Sequence, residues 1–589
     1  MNPDARSDDR APSSGHSRRA FLKSGIRAGA LLGGAGAMDA LGASAAALGA
    51  HRVRRPAPKP NGPNILVIVV DQMRYPRWFG GAGADVGFPP NIARIRSNGV
   101  SFARHYTASN DCSPARATLL TGLHTHQTGC MITGISTLSP AFDTWGSYLR
   151  ELGYASYWFG KWHLTRADRR WNEVDGPPGL ARYGFDGGTY PSPNGAPSQG
   201  WRADPMIASQ FIDWYGQAGG DGPWCTTVSF VNPHDIAWWY RWSDASASEA
   251  SAPRLIHQLP GNFQTPDQLV GKPLAQRSLQ NTTDLSFGDV PYSGPQLMPA
   301  WLPFLDLYVK LQAAVDRQVG VVLDALATRP QIAANTVVIF TSDHGEYGGS
   351  HGLRGKGAGL YEEGINVPLI VSDPRGKTTA HPEVTRTQIS SSVDVVPLML
   401  TLARGSGEWR RERRYKHLAG RPDLAAILAD PTAPGRDYAL HATDELVTEF
   451  AVEPYSTLAP IHIAGLITAK AKYGLYSHWR GNTLEPIAAG QERELYDYST
   501  APGRLELRNR AGHSRLEASL HATLESAIAE ELQAPLPPPL ARAQREGFVN
   551  YFESAAHAAT LSQARRRREL EQIVGSQLGS ELNPHRHRH

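Results

Sequence analysis

The sequence predicts an α/β fold, with a large, mostly parallel central sheet flanked by helices and a smaller C-terminal α+β domain. Continuous apolar runs rich in β-branched residues recur along the chain, as in strands buried on both faces of a parallel sheet. Helical patterns lie between these runs, and strands that alternate with helices indicate a mostly parallel sheet. After about residue 405, shorter strand-like pieces replace the long runs and predict the second domain.

The first predicted strand is the run NILVIVV at 64–70. Four similar runs follow it, at 154–159, 225–231, 336–341 and 367–371. Helices are predicted between the strands, at 90–99, 144–153 and 308–327. In the C-terminal domain, the pieces KYGLYSHW (472–479) and RELYDY (493–498) read as short strands.

The N-terminus carries an export pattern. Arg18 and Arg19 stand in SRRAFLKSG, ahead of a weakly apolar stretch rich in Ala, Gly and Leu. This pattern predicts a twin-arginine signal peptide over 1–50, read by the twin-arginine translocase, and a periplasmic or secreted bacterial protein. Arg27 and Asp39 fit a membrane span poorly, since charges at bilayer depth are unfavourable. No other segment is long and apolar enough to predict a stable membrane span.

Composition suggests the remaining boundaries. A basic, Pro-rich linker is expected at 51–63, followed by the main domain at 64–404. Within it, the Ser-, Pro- and Gly-rich segment at about 243–300 is read as an insertion over the active face or as a partly disordered stretch. The α+β subdomain is expected at 405–550, and 551–589 reads as a charged helix and a disordered basic tail.

Charge and cysteine content exclude two classes of protein. A net charge of +4 over 589 residues does not suggest a nucleic-acid binder. Three cysteines cannot form a disulfide framework. Cys130 and Cys225 either pair with each other or are small buried apolar residues.

Polar clusters follow four of the predicted strands. Their members are Asp71 and Gln72, Lys161 and His163, Asn232 and His234, and Asp343, His344 and Glu346. A single Asp after a strand is usually a turn or capping residue. Because open parallel sheets bind ligands at the carboxyl ends of their strands, four such clusters together predict a functional site there.

Cys112 lies in NDCSPARATLLTG (110–122), where a helix is predicted to start. Pro114 is tolerated at the first helical position, because its missing N–H would have no partner there. Unpaired N–H groups and the helix dipole favour an anion at that end, and Arg116 adds a planar fork of donors. Cys112 is therefore expected where a tetrahedral anion is held.

The run CSPAR matches the pattern C-x-P-x-R, and VDQ, GKWHL, NPH and DHGE occur in the expected order around it. With these motifs, residues 61–400 resemble the type I, formylglycine-dependent sulfatases of the alkaline phosphatase superfamily. The resemblance implies an alkaline-phosphatase-like fold and a sulfuric ester hydrolase. It also implies that a formylglycine-generating enzyme oxidises Cys112, and that the substrate is a small-molecule or saccharide sulfate ester.

The resemblance further implies a covalent mechanism. The hydrated formylglycine attacks sulfur, the alcohol leaves, and the second hydroxyl expels sulfate. Arg116 would stabilise the hydrated aldehyde, Lys161 would contact a sulfate oxygen, and His163 would be the base for sulfate elimination. His234 and Lys356 would bind the ester and assist the leaving group. Glu346 would orient its neighbours.

One divalent metal is implied by the same resemblance. Its expected ligands are Asp71, Gln72, Cys112 as formylglycine, Asp343 and His344. Carboxylate and amide oxygens suit a hard ion, whereas the imidazole suits transition metals, so calcium, manganese and magnesium all remain open. The V-D-Q and D-H-G-E motifs look closest to the choline-sulfatase and phosphonate monoester hydrolase branch.

Three functions stay open at this point. A sulfatase is the first, and a phosphonate or phosphate ester hydrolase of the same superfamily is the second. The third is a non-catalytic anion-binding homologue in which Cys112 stays a thiol. The aromatic cluster of Trp238, Trp239, Tyr240 and Trp242 would stack on a sugar or aryl group, or pack within the insertion.

Overall fold

The structure is a computed structural model. It describes residues 62–76, 87–165, 179–190, 192–219, 222–241, 255–446 and 451–561, with 565, 566 and 568. The predicted signal peptide, nearly all of the linker, Trp242 and the basic tail lie outside the described residues. No helix in the described part of the chain has the length and apolar character that a bilayer crossing requires.

The strands of the described residues fall into two main sheets and one short pairing. They are β1 (Asn64–Asp71), β2 (Val100–Phe102), β3 (His105–Tyr106), β4 (Ala155–Gly160), β5 (Asp186–Gly187), β6 (Trp224–Pro233), β7 (Thr336–Ser342), β8 (Leu369–Ser372), β9 (Ser390–Ser391), β10 (Tyr438–Asp444), β11 (His462–Thr468), β12 (Ala471–Trp479) and β13 (Pro486–Asp497).

Helices cover both faces of the larger sheet. Those described are α1 (Pro90–Ser97), α2 (Cys112–Thr121), α3 (Thr125–Thr128), α4 (Trp145–Glu151), α5 (Gln199–Ala218), α6 (Leu274–Phe287), α7 (Leu297–Ala327), α8 (Pro330–Ala333), α9 (Glu362–Ile365), α10 (Val395–Arg404), α11 (Leu424–Ala429), α12 (Ala501–Arg504), α13 (Glu517–Ala527) and α14 (Pro538–Thr560). A 3₁₀ turn, His234–Trp238, follows β6 directly.

Among the described residues, the larger sheet has seven strands in the order β2-β8-β7-β1-β6-β4-β5. β1 pairs in parallel with β6 and β7, and β4 pairs in parallel with β5 and β6. Only β8 runs against its neighbours in this set, pairing antiparallel with β2 and β7. The predicted fold class, a mostly parallel sheet flanked by helices, is confirmed.

β1 shows why its sequence is a continuous apolar run. Ile65, Val67 and Val69 pack on one side, in the core formed with α2, α4 and α10. The alternate residues, including Leu66 and Ile68, pack on the other side against α1, α5 and α7. Because successive side chains point to opposite faces, a strand covered on both sides needs apolar residues at every position.

The C-terminal region carries the smaller sheet. Among the described residues it has four antiparallel strands, β10 to β13 in sequence order. Leu440, Leu466 and Leu495 from this sheet pack against Leu524 of α13. This is the predicted α+β arrangement, while the boundary placed between 404 and 405 stays a prediction.

The parallel pairing places one end of the sheet in position for chemistry. β1, β4, β6 and β7 all end at the same edge, because parallel strands share a direction. The polar clusters predicted from the sequence therefore meet at that edge, beside the start of α2.

Candidate active site

Helix α2 begins at Cys112, two residues before the predicted start at Pro114. Its first intrahelical bond runs from the Ala115 N–H to the Asp111 carbonyl, at 2.9 Å. Pro114 is thus the third helical residue, where a missing N–H leaves no acceptor unpaired. Gly122 ends the helix in a left-handed conformation with φ of 70°.

The Cys112 sulfur is enclosed by three ionisable side chains. It lies 3.1 Å from His344 Nε2, 3.7 Å from Asp71 Oδ1 and 3.7 Å from Lys161 Nζ. Burial and the nearby Asp71 carboxylate raise the pKa of the thiol, against the opposing influence of Lys161. The His163 side chain is also hydrogen-bonded to Cys112.

Arg116 bridges two aspartates, Asp71 at the end of β1 and Asp343 directly after β7. Its Nη2 donates to Asp71 Oδ2 and its Nε donates to Asp343 Oδ2, both at 2.9 Å. Its Nη1 donates to the Lys161 carbonyl at 2.8 Å and to Ser229 Oγ at 3.0 Å. Burial opposes its charge, yet Asp343 and Asp71 raise the pKa of the guanidinium. Arg116 therefore fixes both carboxylates in place.

Both the nitrogen and the oxygen of the Gln72 side-chain amide form hydrogen bonds. Its Nε2 donates to Glu346 Oε2 at 2.5 Å, and its Oε1 accepts from Lys356 Nζ at 2.6 Å. Glu346 also accepts from the N–H groups of Gly348 and Gly355, at 2.9 and 2.8 Å. Glu346 thus orients the Gln72 amide and, through it, Lys356.

Four potential metal ligands converge at this edge. One donor atom each from Asp71, Cys112, Asp343 and His344 lies within 4.8 Å of the others, and all four residues are buried. His344 Nε2 lies 3.7 Å from Asp71 Oδ1 and 3.9 Å from Asp343 Oδ1. Two carboxylates, an imidazole and a fourth donor from residue 112 fit a divalent cation. Gln72 reaches this group through its backbone N–H, which donates to Asp343 Oδ1 at 3.2 Å.

His234 and Lys161 lie side by side. Lys161 Nζ is 2.8 Å from Asp71 Oδ2, and both side chains are fully buried. His234 is also buried, and its Nδ1 has no hydrogen-bond partner among the described residues. Burial, followed by the charges of Lys161 and Lys356, lowers the pKa of His234 well below its usual value. A buried ring nitrogen without a partner needs an explanation, and a ligand bound at this edge would supply one.

The structure brings together every site residue named from the sequence. These are Asp71, Gln72, Cys112, Arg116, Lys161, His163, His234, Asp343, His344 and Lys356. Their individual roles stay predictions. All three cysteines are free thiols and buried, so Cys130 and Cys225 do not pair.

Three residues that support the site could not be recognised from the sequence. Ser229 lies inside an apolar strand run, yet its hydroxyl holds Arg116. The Tyr308 hydroxyl donates to the Gln72 carbonyl at 2.7 Å from the middle of α7. Gly195 packs on His234 and Lys161, so closely that an added Cβ would lie 2.6 Å from His234 Cε1. Only a three-dimensional contact reveals these residues.

Comparison with known proteins agrees with this geometry. A sequence model of the sulfatase family matches residues 63–406. The chain is similar to an uncharacterised sulfatase, YidJ, of Escherichia coli K12, at 30% identity over 373 residues, 58% of this chain and 68% of the relative. It is similar to a choline-sulfatase of Rhizobium meliloti at 26% identity over 386 residues, 58% of this chain and 67% of the relative.

Among solved structures, the chain is similar in fold to a phosphonate monoester hydrolase of Silicibacter pomeroyi. The TM-score is 0.59 at 20% identity, over 80% of this chain and 96% of that one. The family match places the chain among the hydrolases of the alkaline phosphatase superfamily, in agreement with the fold and the buried cluster at the strand ends. Within it, the chain belongs to the sulfatase family and is a sulfuric ester hydrolase.

Proposed function

We propose that this enzyme hydrolyses a sulfate monoester through a formylglycine made from Cys112, with the help of one divalent metal. Ester and water give an alcohol, inorganic sulfate and a proton. One observation supports this proposal most: the Cys112 sulfur, at the start of α2, lies within 3.7 Å of His344, Asp71 and Lys161. When present, the formylglycine supplies a hydrated aldehyde that attacks sulfur and later releases sulfate.

Asp71, Asp343, His344 and residue 112 would hold the cation, with Gln72 as a fifth ligand. A bound divalent cation polarises the ester oxygens. Calcium, manganese and magnesium all stay in the proposal, because the donors combine carboxylate oxygens with an imidazole. The Gln72 amide oxygen also accepts from Lys356, which would link the cation site to the ester site.

The remaining residues would stabilise negative charge and transfer protons. The Lys161 ammonium, together with the N–H groups at the start of α2, would stabilise the sulfate oxygens. His163, hydrogen-bonded to residue 112, would remove the proton that lets sulfate leave. His234 and Lys356 would lie against the bridging oxygen and assist the departing alcohol. Arg116 would keep both aspartates in position.

Mass spectrometry of the Cys112 peptide tests this proposal. In active enzyme the peptide is expected to have lost one sulfur and two hydrogens and gained one oxygen. Cys112→Ala is expected to fold with an unchanged Tm and to lose nearly all turnover. Cys130→Ala, a matched buried cysteine, should keep its activity. An active preparation with an intact thiol at 112 would contradict the proposal. A folded preparation with an intact thiol and no turnover would favour the non-catalytic homologue.

A second candidate function is hydrolysis of phosphonate or phosphate esters. It rests on the D-H-G-E motif, which resembles that of the choline-sulfatase and phosphonate monoester hydrolase branch and whose His344 lies in the metal-ligand cluster. Both substrates are tetrahedral oxyanions, so the same donors would serve either. Comparing kcat/KM for an aryl sulfate and the corresponding phenyl phosphonate separates the two functions.

The proposal requires two protein partners. A formylglycine-generating enzyme would oxidise Cys112 before export, and the twin-arginine translocase would carry the folded enzyme to the periplasm or beyond. Cell fractionation of the intact chain, compared with an Arg18→Lys, Arg19→Lys double variant, tests this route. Retention of only the double variant in the cytoplasm would support it.

A further inference from the structure

An apolar cleft opens directly onto the proposed ester site. His234 and Lys356 form part of its lining. These are the two residues that the proposed function places against the bridging oxygen and the departing alcohol. The cleft therefore extends from the sulfate group toward the place where the alcohol portion of the ester must lie.

The rest of the lining is mainly aromatic and aliphatic. Three separate elements supply it: the 3₁₀ turn after β6, helix α6 and helix α7. The apolar side chains are Ile236, Trp238, Trp239, Leu279, Phe287 and Phe304. Two members of the aromatic cluster predicted near His234, Trp238 and Trp239, line the cleft. Both also pack on neighbouring side chains.

The rings are held in place by one another. The Trp238 and Phe287 rings meet edge to face at 5.9 Å, and those of Trp239 and Phe304 lie 5.3 Å apart. The Trp238 Nε1 donates to the Gly195 carbonyl at 2.7 Å, so this polar atom is already used within the protein. The part of Trp238 that lines the cleft is therefore apolar.

The charged groups of the cleft do not form a site for a sugar chain. Arg354 donates to Asp284 Oδ1 and to the Gly288 carbonyl, both at 2.6 Å, so its charge is paired inside the protein. Asp111 also lines the cleft and would repel a polyanionic saccharide. Sugar hydroxyls placed against the apolar side chains would lose water without gaining partners there, which is unfavourable. The polar side chains of the lining, apart from the indoles, are Asp111, Thr283, Arg354 and the two ester-site residues His234 and Lys356.

Resting on the proposed function, we infer that the natural substrate is a sulfate ester of an uncharged apolar alcohol, cyclic or aromatic, whose carbon skeleton fills this cleft. Burial of its apolar surface against the rings would supply binding energy that a hydroxylated sugar of the same size cannot obtain. Water addition then releases the apolar alcohol and sulfate.

Cyclohexylmethyl sulfate and glucose 6-sulfate form a matched pair for the test. Both are six-membered rings that release a primary alcohol, so the leaving groups differ little and the ring hydroxyls differ most. With mature enzyme, kcat/KM for cyclohexylmethyl sulfate is expected to exceed that for glucose 6-sulfate by about 30-fold or more, equivalent to ~2 kcal/mol. Equal rates, a preference for glucose 6-sulfate or a preference for choline sulfate would overturn the inference.

Variants at Leu279 connect the preference to the cleft. Leu279→Asn is expected to reduce the ratio of the two kcat/KM values at least fivefold, while the volume-conserving Leu279→Met should leave it within twofold. Because both substrates are measured on one preparation, the ratio is independent of the fraction that folds. An unchanged ratio in Leu279→Asn would contradict the assignment of this cleft. If no sulfate or phosphonate ester were hydrolysed at all, the proposed function itself would fail.

Binding is measured separately on Cys112→Ala, which cannot turn over. Cyclohexylmethyl sulfate is expected to raise its Tm at concentrations where glucose 6-sulfate does not. The opposite order would refute the inference even if the chemistry at residue 112 proved correct.

Discussion

Gly195→Ala should strongly reduce activity, because the added Cβ would displace two residues of the proposed ester site, His234 and Lys161. Gly195 has φ of 94°, and an added Cβ would lie 2.6 Å from His234 Cε1, 2.8 Å from His234 Nδ1 and 3.0 Å from Lys161 Nζ. Neither side chain can withdraw easily, because both are buried and Lys161 is paired with Asp71 at 2.8 Å.

The expected loss follows from these distances. An ordinary carbon–carbon contact is about 3.5 Å, so the ring or the loop must move by about 0.9 Å from the present 2.6 Å. A misplacement of about 1 Å at reacting groups costs roughly a hundredfold in rate. The positive φ adds a separate stability cost of about 1–2 kcal/mol for a residue with a side chain.

Gly222→Ala separates these two effects. Gly222 has a closely similar φ of 92°, but nothing lies within 4 Å of its added Cβ. Both variants should lose similar unfolding free energy in urea, apart from the extra crowding at Gly195, and only Gly195→Ala should lose about a hundredfold in kcat/KM for sulfate release. If Gly195→Ala stayed within threefold of Gly222→Ala, the positions of His234 and Lys161 would not matter to catalysis as argued.

Two further predictions concern carboxylates that are paired with arginines. Asp343→Asn removes a negative charge from the proposed cation site and from the ion pair with Arg116. The number of metal ions per protein, measured by mass spectrometry after dialysis, should therefore fall well below one. Full retention of the metal would exclude Asp343 as a ligand. Burial opposes the charge of Glu531, but the neighbouring His124 ring and the charges of Arg436 and Arg421 hold its pKa well below the usual value of about 4.5. Its stabilising contribution is therefore present above that value and lost as the pH falls further. Glu531→Gln should reduce the unfolding free energy by about 3 kcal/mol at pH 7 and by clearly less at pH 3; an equal loss at both would contradict the ion-pair explanation.

The parallel sheet could be predicted because its strands are covered on both faces. That coverage demands apolar residues at every position, and the runs at 64–70, 225–231 and 336–341 appear as β1, β6 and β7 with ends shifted by no more than two residues. The polar residues that follow these runs were found for the same reason, since an abrupt change from apolar to ionisable marks the end of a buried strand.

Helices were less predictable where packing outweighs local preference. α7 begins at Leu297, eleven residues before the predicted start at 308, and contains Pro303. Proline removes an intrahelical hydrogen bond and normally argues against a helix. Here Trp301, Phe304 and Leu305 are buried together in one apolar cluster, and this tertiary contact stabilises a segment that local propensity disfavours.

Residues proposed for the reaction and residues proposed for substrate specificity also differ in how strongly the sheet constrains them. Side chains proposed to handle sulfate stand directly after strands, where the sheet constrains both residue type and position. Leu279, Phe287 and Phe304 instead come from the stretch between β6 and β7, which includes the Ser-, Pro- and Gly-rich segment at about 243–300. The sheet does not fix residue type at these three positions, so Leu279, Phe287 and Phe304 can change without disturbing the anion site. Differences in the alcohol accepted should therefore arise from residues of α6 and α7, while changes at Asp71, Lys161 or Asp343 should affect all esters alike.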